Sequence, residues 1–502
     1  MRKASKLVLC CLLVGFLLFS NSTILVGAND LGIVMPNPKY HEIDKLLTEK
    51  ALKFNVPPEV VKAIAYRESE WRQFVDGEPN ISDDGGIGIM QVTDSRFDQE
   101  KLKTDIKYNI ESAIQILLEK KKWSGNSIPE INDNSYEYMD HWYFAVMAYN
   151  GLVHSNSPII RATGNRNYSA YQERVFQTIS ELNNGMVMEP LKFEVADFDY
   201  RANNILGFNK MAYKSTGKQS SRYFLNEDDL VITTTTPRLR TSPTTALGNT
   251  NIIKTLAEGE ILRILETFRY DESHLHGIDN PERQYVWYLV ESIDGTEGYV
   301  ASGTIQPIEE VGLVDINSLP DRNGNELTDI RSHWGKEDIL TLNKKDIIRG
   351  YSNNTFRPDQ NITRAEVMAI ISRVLANVPD VNLDWTFSDQ KPQDWAKDPI
   401  MEGVNLRLIQ GYSNNTFRTD NNITRAELVV ILDRLVDIVN YEPSGEVGPP
   451  EVFVDEIPTW AVDSVNNISR LGIVTGYGDH TFRPSANATR AEVATVIMRI
   501  LK

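Results

Sequence analysis

Glu68 ends an apolar stripe. In Glu59-Val-Val-Lys-Ala-Ile-Ala-Tyr-Arg-Glu68-Ser69, Val60, Ile64 and Glu68 fall at i, i+4 and i+8 of a helix, with Val61 and Ala65 alongside. Glu59 and Glu70 point elsewhere. A carboxylate on such a face loses hydration, and its pKa rises toward the range of a general acid. The bland alternative is a glutamate that snorkels, or one paired with Arg67 or Arg72. Downstream, Gly85-Gly86-Ile-Gly88-Ile-Met90-Gln91 sets three glycines against apolar residues, which suits backbone in close approach to a ligand. Trp142 to Gly151 reads as a buried helix carrying Tyr149 and Asn150 at its end. Three more residues are chemically conspicuous: Arg364, Arg425 and Arg490, each inside Thr-Arg-Ala-Glu. Thr at the N-cap and Glu three residues later form a capping box, as Thr363/Glu366, Thr424/Glu427 and Thr489/Glu492. The box does not need arginine at the first helical position, where a cation opposes the helix dipole. These arginines therefore call for an anion, either an internal acid or an external ligand.

The elements that position these residues follow from punctuation and period. Asn55-Val-Pro57-Pro58 starts the helix that carries Glu68, since proline is tolerated in a first turn. Gly151 closes the Trp142 helix at its C-terminus. Residues 36–183 read as helices and polar loops. Residues 191–228 lack clear periodicity and read as a partly ordered connector. Residues 229–309 are β-rich, with strands expected at Thr233–Leu239, Ile261–Leu265, Val286–Val290 and Gly298–Val300. The last third repeats. Gly350-Tyr-Ser-Asn-Asn-Thr-Phe-Arg returns at Gly411 and, slightly altered, at Gly476, intervals of 61 and 65 residues. Each copy has a preceding Trp (Trp334, Trp395, Trp460) and a following Thr-Arg-Ala-Glu.

The 502-residue chain is long enough for several domains, and its net charge of −17 (52 Lys+Arg, 69 Asp+Glu) argues against a nucleic-acid binder. Arg2, Lys3 and Lys6 precede the apolar run Leu7–Phe19, too short to span a bilayer but suited to a signal peptide. Small residues before Ala28 mark a cut after it, giving a 1–28 export segment and an exported chain without an integral membrane segment. Cys10 and Cys11 are the only cysteines and both lie in that segment, so no disulfide or cysteine-bound metal is expected in the mature chain. Asp321-Arg-Asn323-Gly-Asn325 has the start of a calcium loop, but Glu326 stands where the turn glycine belongs. No metal or cofactor is assigned.

In order, Glu68-Ser69, Gly88-Ile-Met-Gln91 and Ala148-Tyr-Asn-Gly151 resemble the motifs of the soluble lytic transglycosylases, with Asn109-Ile110 and Tyr171-Gln-Glu-Arg-Val175 similar to two weaker ones. Gly86, Ile89, Ala113 and Ile116 depart from the family pattern. The resemblance implies a lysozyme-like fold over 36–190 and cleavage of the β-1,4 bond between N-acetylmuramic acid and N-acetylglucosamine in peptidoglycan strands. Glu68 would serve as acid and then base, with Ser69, Gln91, Tyr149, Asn150 and Tyr171 on the substrate side. A hydrolytic, muramidase route normally adds a second carboxylate, and Asp83 and Asp84 stand beside the glycine loop. Residues 229–309 resemble a bacterial SH3-like β-barrel through Pro237-Arg-Leu-Arg-Thr-Ser-Pro243, Trp287-Tyr-Leu-Val290 and Gly298-Tyr-Val-Ala301. It would bind the wall or merely space the domains. The repeats resemble S-layer homology domains at 315–376, 377–440 and 441–502, which implies an α-helical three-repeat anchor on pyruvylated secondary cell-wall polysaccharide. Arg364, Arg425 and Arg490 would pair with pyruvate carboxylates. Trp334, Trp395 and Trp460 would wall the grooves or pack a core. The expected whole is a multidomain enzyme held in the cell wall or S-layer of a Gram-positive-type envelope.

Overall fold

The computed structural model describes residues 35–502 apart from 184–185, 187–190, 216–218, 272–280, 282–284, 309–310, 323–325, 380–386, 390–394, 413 and 444–446. The expected export segment and part of the Asp321–Asn325 loop lie outside the described residues.

The N-terminal part is helical. Helices α1 (Tyr40–Lys53), α2 (Pro58–Ser69), α3 (Gln99–Thr104), α4 (Ile106–Lys121), α5 (Tyr143–Asn150) and α6 (Tyr171–Leu182) enclose a core that includes Ile64, Ile89, Trp142, Phe144 and Met147. Pro57 is the N-cap of α2 and Pro58 its first residue, so the two ring nitrogens fall where a helix lacks acceptors. The helix stops at Glu70 and Trp71, both left-handed at φ 53° and 62°. Left-handed non-glycine residues are uncommon and cluster where surroundings over-determine the backbone. Here the anchor is Trp71, buried and donating from Nε1 to Lys62 O at 2.9 Å. The turn therefore fixes where Glu68 ends up.

The described residues of 191–228 carry regular pairing that their aperiodic sequence does not announce. Ala212–Tyr213 pairs in parallel with Glu130–Ile131, and Phe198–Tyr200 pairs with Leu206–Phe208 as a hairpin. Phe198, Leu206 and Tyr213 enter the helical core. Glu59 is buried, and its carboxylate accepts from Ser221 Oγ and from Arg222 N–H, each at 2.8 Å. Lys62 bridges Asp44 and Tyr223 Oη, both at 2.6 Å. Strands of two or three residues carry too little alternation to be legible.

The middle part is an eight-stranded antiparallel sheet in the order 305–307, 230–233, 261–264, 286–291, 297–301, 238–240, 252–255, with 269–270 beside 286–291. The expected strand over Thr233–Leu239 is two strands set apart in the sheet. Pro237, with no N–H to donate, sits in the break between them. Trp287 is buried in this part.

The repeats form helix pairs: α7 (Lys336–Lys344) and α8 (Arg364–Val374), α9 (Lys397–Asn405) and α10 (Arg425–Ile438), α11 (Val462–Arg470) and α12 (Arg490–Ile500). Helix α8 packs on α9, α10 on α11 and α12 back on α7, so the three copies close a ring. Backbone bonds close it too: Ile423 N–H to Ile362 O, Ala488 N–H to Ile423 O, and Ile362 N–H to Ala488 O, at 3.0–3.1 Å.

Candidate active site and wall-binding surface

Glu68 lies half-buried near the end of α2, where its carboxylate accepts from Tyr171 Oη, the first residue of α6, at 2.5 Å. Neither Arg67 nor Arg72 pairs with it. Arg72 binds Glu70 at 3.0 Å and Arg67 donates from Nε to the carbonyl of Arg174 at 3.1 Å. Desolvation pushes the Glu68 carboxyl up to about 7, against the pull of the Tyr171 bond and of the Arg174 charge. The nearby charge of Asp84 pushes in the same direction as burial. The group is thus poised to hold a proton near neutral pH and release it. Burial, then the Glu68 charge, hold the phenols of Tyr149 and Tyr171 far above the ordinary tyrosine range. Both therefore stay neutral as donors.

The glycine loop is held from behind by two buried amides. Asn109 Oδ1 accepts from Met90 N–H at 3.0 Å, and its Nδ2 donates to Ile87 O and Leu102 O. Gln73 Oε1 accepts from Ile89 N–H at 3.0 Å, and its Nε2 donates to Leu102 O and Lys103 O. Gly88 has φ 73°, and a Cβ there would meet Asn109 Nδ2 at 2.3 Å. Ser69 Oγ donates to Ile89 O at 2.7 Å and Tyr149 Oη to Met90 O at 2.9 Å. Ser69 therefore pins the loop to α2, which carries Glu68, and Tyr149 pins it to α5. Gln91, itself left-handed at φ 50°, folds its amide onto Gly88 O at 2.8 Å. Asn150 is exposed and accepts from Asn156 Nδ2 at 3.0 Å. Asn156 also donates to Gly151 O and accepts from Tyr171 N–H, joining α5 to α6. Gln73 and Asn156 escaped the sequence reading because their partners are mostly backbone atoms of loops remote in sequence. Asp83 and Asp84 are exposed. Ser82 Oγ, at 2.5 Å, and the Gly86 N–H hold Asp84 below the usual carboxylate range.

All three capping boxes are present, with Thr Oγ1 accepting from the Glu N–H at 3.2 Å and the Glu carboxylate accepting from the Thr N–H. The arginines between them are buried and each finds an internal acid, one of the two alternatives the sequence leaves open. Arg364 meets Glu427 at 3.3 Å, Arg425 meets Glu492 at 2.9 Å, and Arg490 meets Glu366 at 2.8 Å. Each acid belongs to the next capping box around the ring. The remaining guanidinium donors reach backbone carbonyls, as Arg490 does with Phe356 O and Arg349 O at 2.9 Å. Trp334, Trp395 and Trp460 are not core residues, being 65%, 62% and 59% exposed. Beside Trp334, Asp329, His333, Arg357 and Asp359 line an open pocket of about 470 Å³. Arg357, Arg418 and Arg483 are exposed and lie 3.9–4.0 Å over Tyr351, Tyr412 and Tyr477. Among the described residues no helix is long and apolar enough to cross a membrane, and no three His, Cys, Asp or Glu gather as metal ligands.

Comparison with known proteins separates the chain along the same lines. The family described as transglycosylase SLT domain matches residues 45–172, and S-layer homology domain matches 326–368, 386–429 and 454–494. An amylopullulanase of Thermoanaerobacterium thermosulfurigenes is 34% identical over 175 residues, 35% of this chain and 9% of the relative. A cellulosome-anchoring protein of Acetivibrio thermocellus is 32% identical over 158 residues, 31% of this chain and 35% of the relative. The S-layer protein sap of Bacillus anthracis is 26% identical over 202 residues, 40% of this chain and 23% of the relative. The matched stretches thus span about a third or less of these relatives. A wall- or surface-associated protein with a transglycosylase-type domain is what these matches support: the chain carries a transglycosylase SLT domain near its N-terminus and three S-layer homology domains in its last third.

Proposed function

We propose that the protein is a wall-anchored lytic transglycosylase, which cleaves the β-1,4 bond between N-acetylmuramic acid and N-acetylglucosamine and leaves 1,6-anhydro-muramic ends. The observation that carries this reading is one desolvated carboxyl, Glu68, with a proton affinity near neutrality and two neutral tyrosines around it. Protonated Glu68 gives its proton to the glycosidic oxygen as the bond to the muramic anomeric carbon breaks. The resulting carboxylate then takes the proton of the muramic 6-hydroxyl, whose oxygen closes on that same carbon. One residue returns to its starting state and no water is consumed. Gln91 and Asn150 are the sugar-binding amides in this reading.

A muramidase with the same anchor is the second reading. It draws on Asp84, which is held ionised close enough to Glu68 for its charge to be felt there. A binding protein of the surface layer that keeps the fold without turnover is the third. Mass spectrometry of fragments released from purified peptidoglycan separates them, with Glu68→Gln alongside. Anhydro-muramic ends that vanish in the variant support the transglycosylase. Reducing muramic ends favour the muramidase, and no release by a folded protein favours the binding reading.

For the anchor, the exposed tryptophans supply flat faces for sugar rings, and the exposed Arg357, Arg418 and Arg483 suit an anionic, pyruvylated wall polysaccharide. Arg364, Arg425 and Arg490 would meet it from within their acid pairs, so a pyruvate carboxylate would compete with Glu427, Glu492 and Glu366. Binding of the chain to purified wall glycan should fall when the pyruvate is removed; equal binding would reject the arginine–pyruvate pairing. The middle sheet, in its SH3-like reading, is a spacer or a second wall-binding module.

A further inference from the structure

Arg174 acts on Glu68 without an acid of its own among the described residues, and Arg67, the residue before Glu68 on α2, reaches the backbone of Arg174. Arg72, Arg96, Arg166 and Arg201 in the same part of the chain each hold a carboxylate within 3.0 Å. Arg67 and Arg174 hold none among the described residues. The Arg67 side chain is tied to the same stretch of α6, since its Nε donates to the main-chain carbonyl of Arg174 at 3.1 Å. Arg174 is three residues after Tyr171 on α6, so both share the helix face that meets Glu68. Its charge is close enough to act on Glu68 and Tyr171 alike. That charge favours the ionised carboxylate and so works against a general acid that must hold its proton. In a chain of net charge −17, two guanidinium groups without acid partners among the described residues are conspicuous.

We propose that Arg174 and Arg67 form a carboxylate-binding subsite on the α6 side of the cleft, which takes the anionic substituent of a muramic residue. This rests on the peptidoglycan reading above. The carboxylate has two sources in such a strand: the lactyl group of a peptide-free muramic residue, or the peptide stem. Guanidinium groups suit either, because their fixed donors pair with both oxygens of a carboxylate. Engagement would also neutralise the charge that opposes protonation of Glu68, so the acid is favoured only when a charged strand is in place.

The test is binding to the full chain carrying Glu68→Gln, so that turnover is absent, with and without Arg174→Gln and Arg67→Gln. The probes are neutral chitotetraose, a peptide-free N-acetylglucosamine–N-acetylmuramic acid tetrasaccharide, and the same tetrasaccharide with tetrapeptide stems. Each arginine change should weaken binding of an acidic glycan at least fivefold and leave chitotetraose within twofold. Arg174→Lys should recover part of the loss. Which glycan suffers identifies the source. Equal losses on all three probes, or none on any, would overturn the subsite while leaving the peptidoglycan reading standing. If the folded Glu68→Gln chain binds no glycan at all, the peptidoglycan reading fails and the subsite with it.

Discussion

Glu68 and Tyr171 set the terms at the residue scale. Glu68→Gln keeps size and polarity but cannot transfer a proton, so release of glycan fragments should fall by about 10²–10⁴. With the acid form required and its pKa at about 7, kcat/KM should fall roughly tenfold per unit above that pH. Tyr171 donates to the carboxylate and so favours ionisation. Tyr171→Phe should therefore move the alkaline limb of the pH profile upward; a downward or absent shift would mean that the bond does not act on Glu68. The same shift is a stability term. Because burial raises the folded-state value, folding loses stability as pH climbs from the ordinary glutamate range through about 7, and nothing more above it. Glu68→Gln should thus melt a few degrees above the parent at pH 8 and level with it at pH 4, read by calorimetry. The stripe Val60–Ile64–Glu68 made this carboxyl legible, because helical period alone sets its face. Tyr171 was reachable only by resemblance, since its partner lies 103 residues away.

Loops and helix ends carry the next level. In the turn Gly88-Ile-Met-Gln91, Gln73 and Asn109 accept from the N–H groups of Ile89 and Met90, while Gln91, Ser69 and Tyr149 donate to the C=O groups of Gly88, Ile89 and Met90. Removing the Asn109 amide strands Met90 N–H and withdraws a donor from Ile87 O and Leu102 O, all buried. Asn109→Ala should cost about 1–3 kcal/mol in denaturant unfolding. It should also lower activity beyond what the lost stability explains, because Met90 O anchors Tyr149. Asn109→Asp, which keeps the acceptor but not the donors, should recover only part of either. If activity tracks the folded fraction alone, the loop does not position the site. The capping boxes were readable from four letters, because a cap is a local bargain between neighbours. The hairpin at 198–208 was not, because two short strands find their stability in Phe144 and Phe193 elsewhere in the chain. The break at Pro237 was visible as a residue yet misread as strand interior, since β-branched neighbours hid the missing N–H.

At the scale of the molecule, the repeats close on themselves, and the three arginines tie the closure together. The sequence showed the repeat and a cation in need of an anion. It could not show that each anion belongs to the following copy, because register around a ring is decided only when the last helix meets the first. Arg490 of the third copy holds Glu366 of the first, 124 residues earlier. Breaking a buried pair by removing one partner costs several kcal/mol, since the other charge stays behind. Here Glu366 keeps some exposure, so the loss should sit toward the lower end. Arg490→Met should therefore loosen the first repeat as much as the third, although the substituted residue belongs to the third alone. Limited proteolysis with mass spectrometry of the full chain reads this directly: new cuts should appear around 349–366 as early as around 476–490. Arg425→Met should instead expose the third repeat through Glu492 while leaving the α8 end of the first protected for longer. Cuts confined to the substituted copy in both variants would mean that the repeats fold as independent beads, and that the ring of charges is a consequence of their packing rather than a cause.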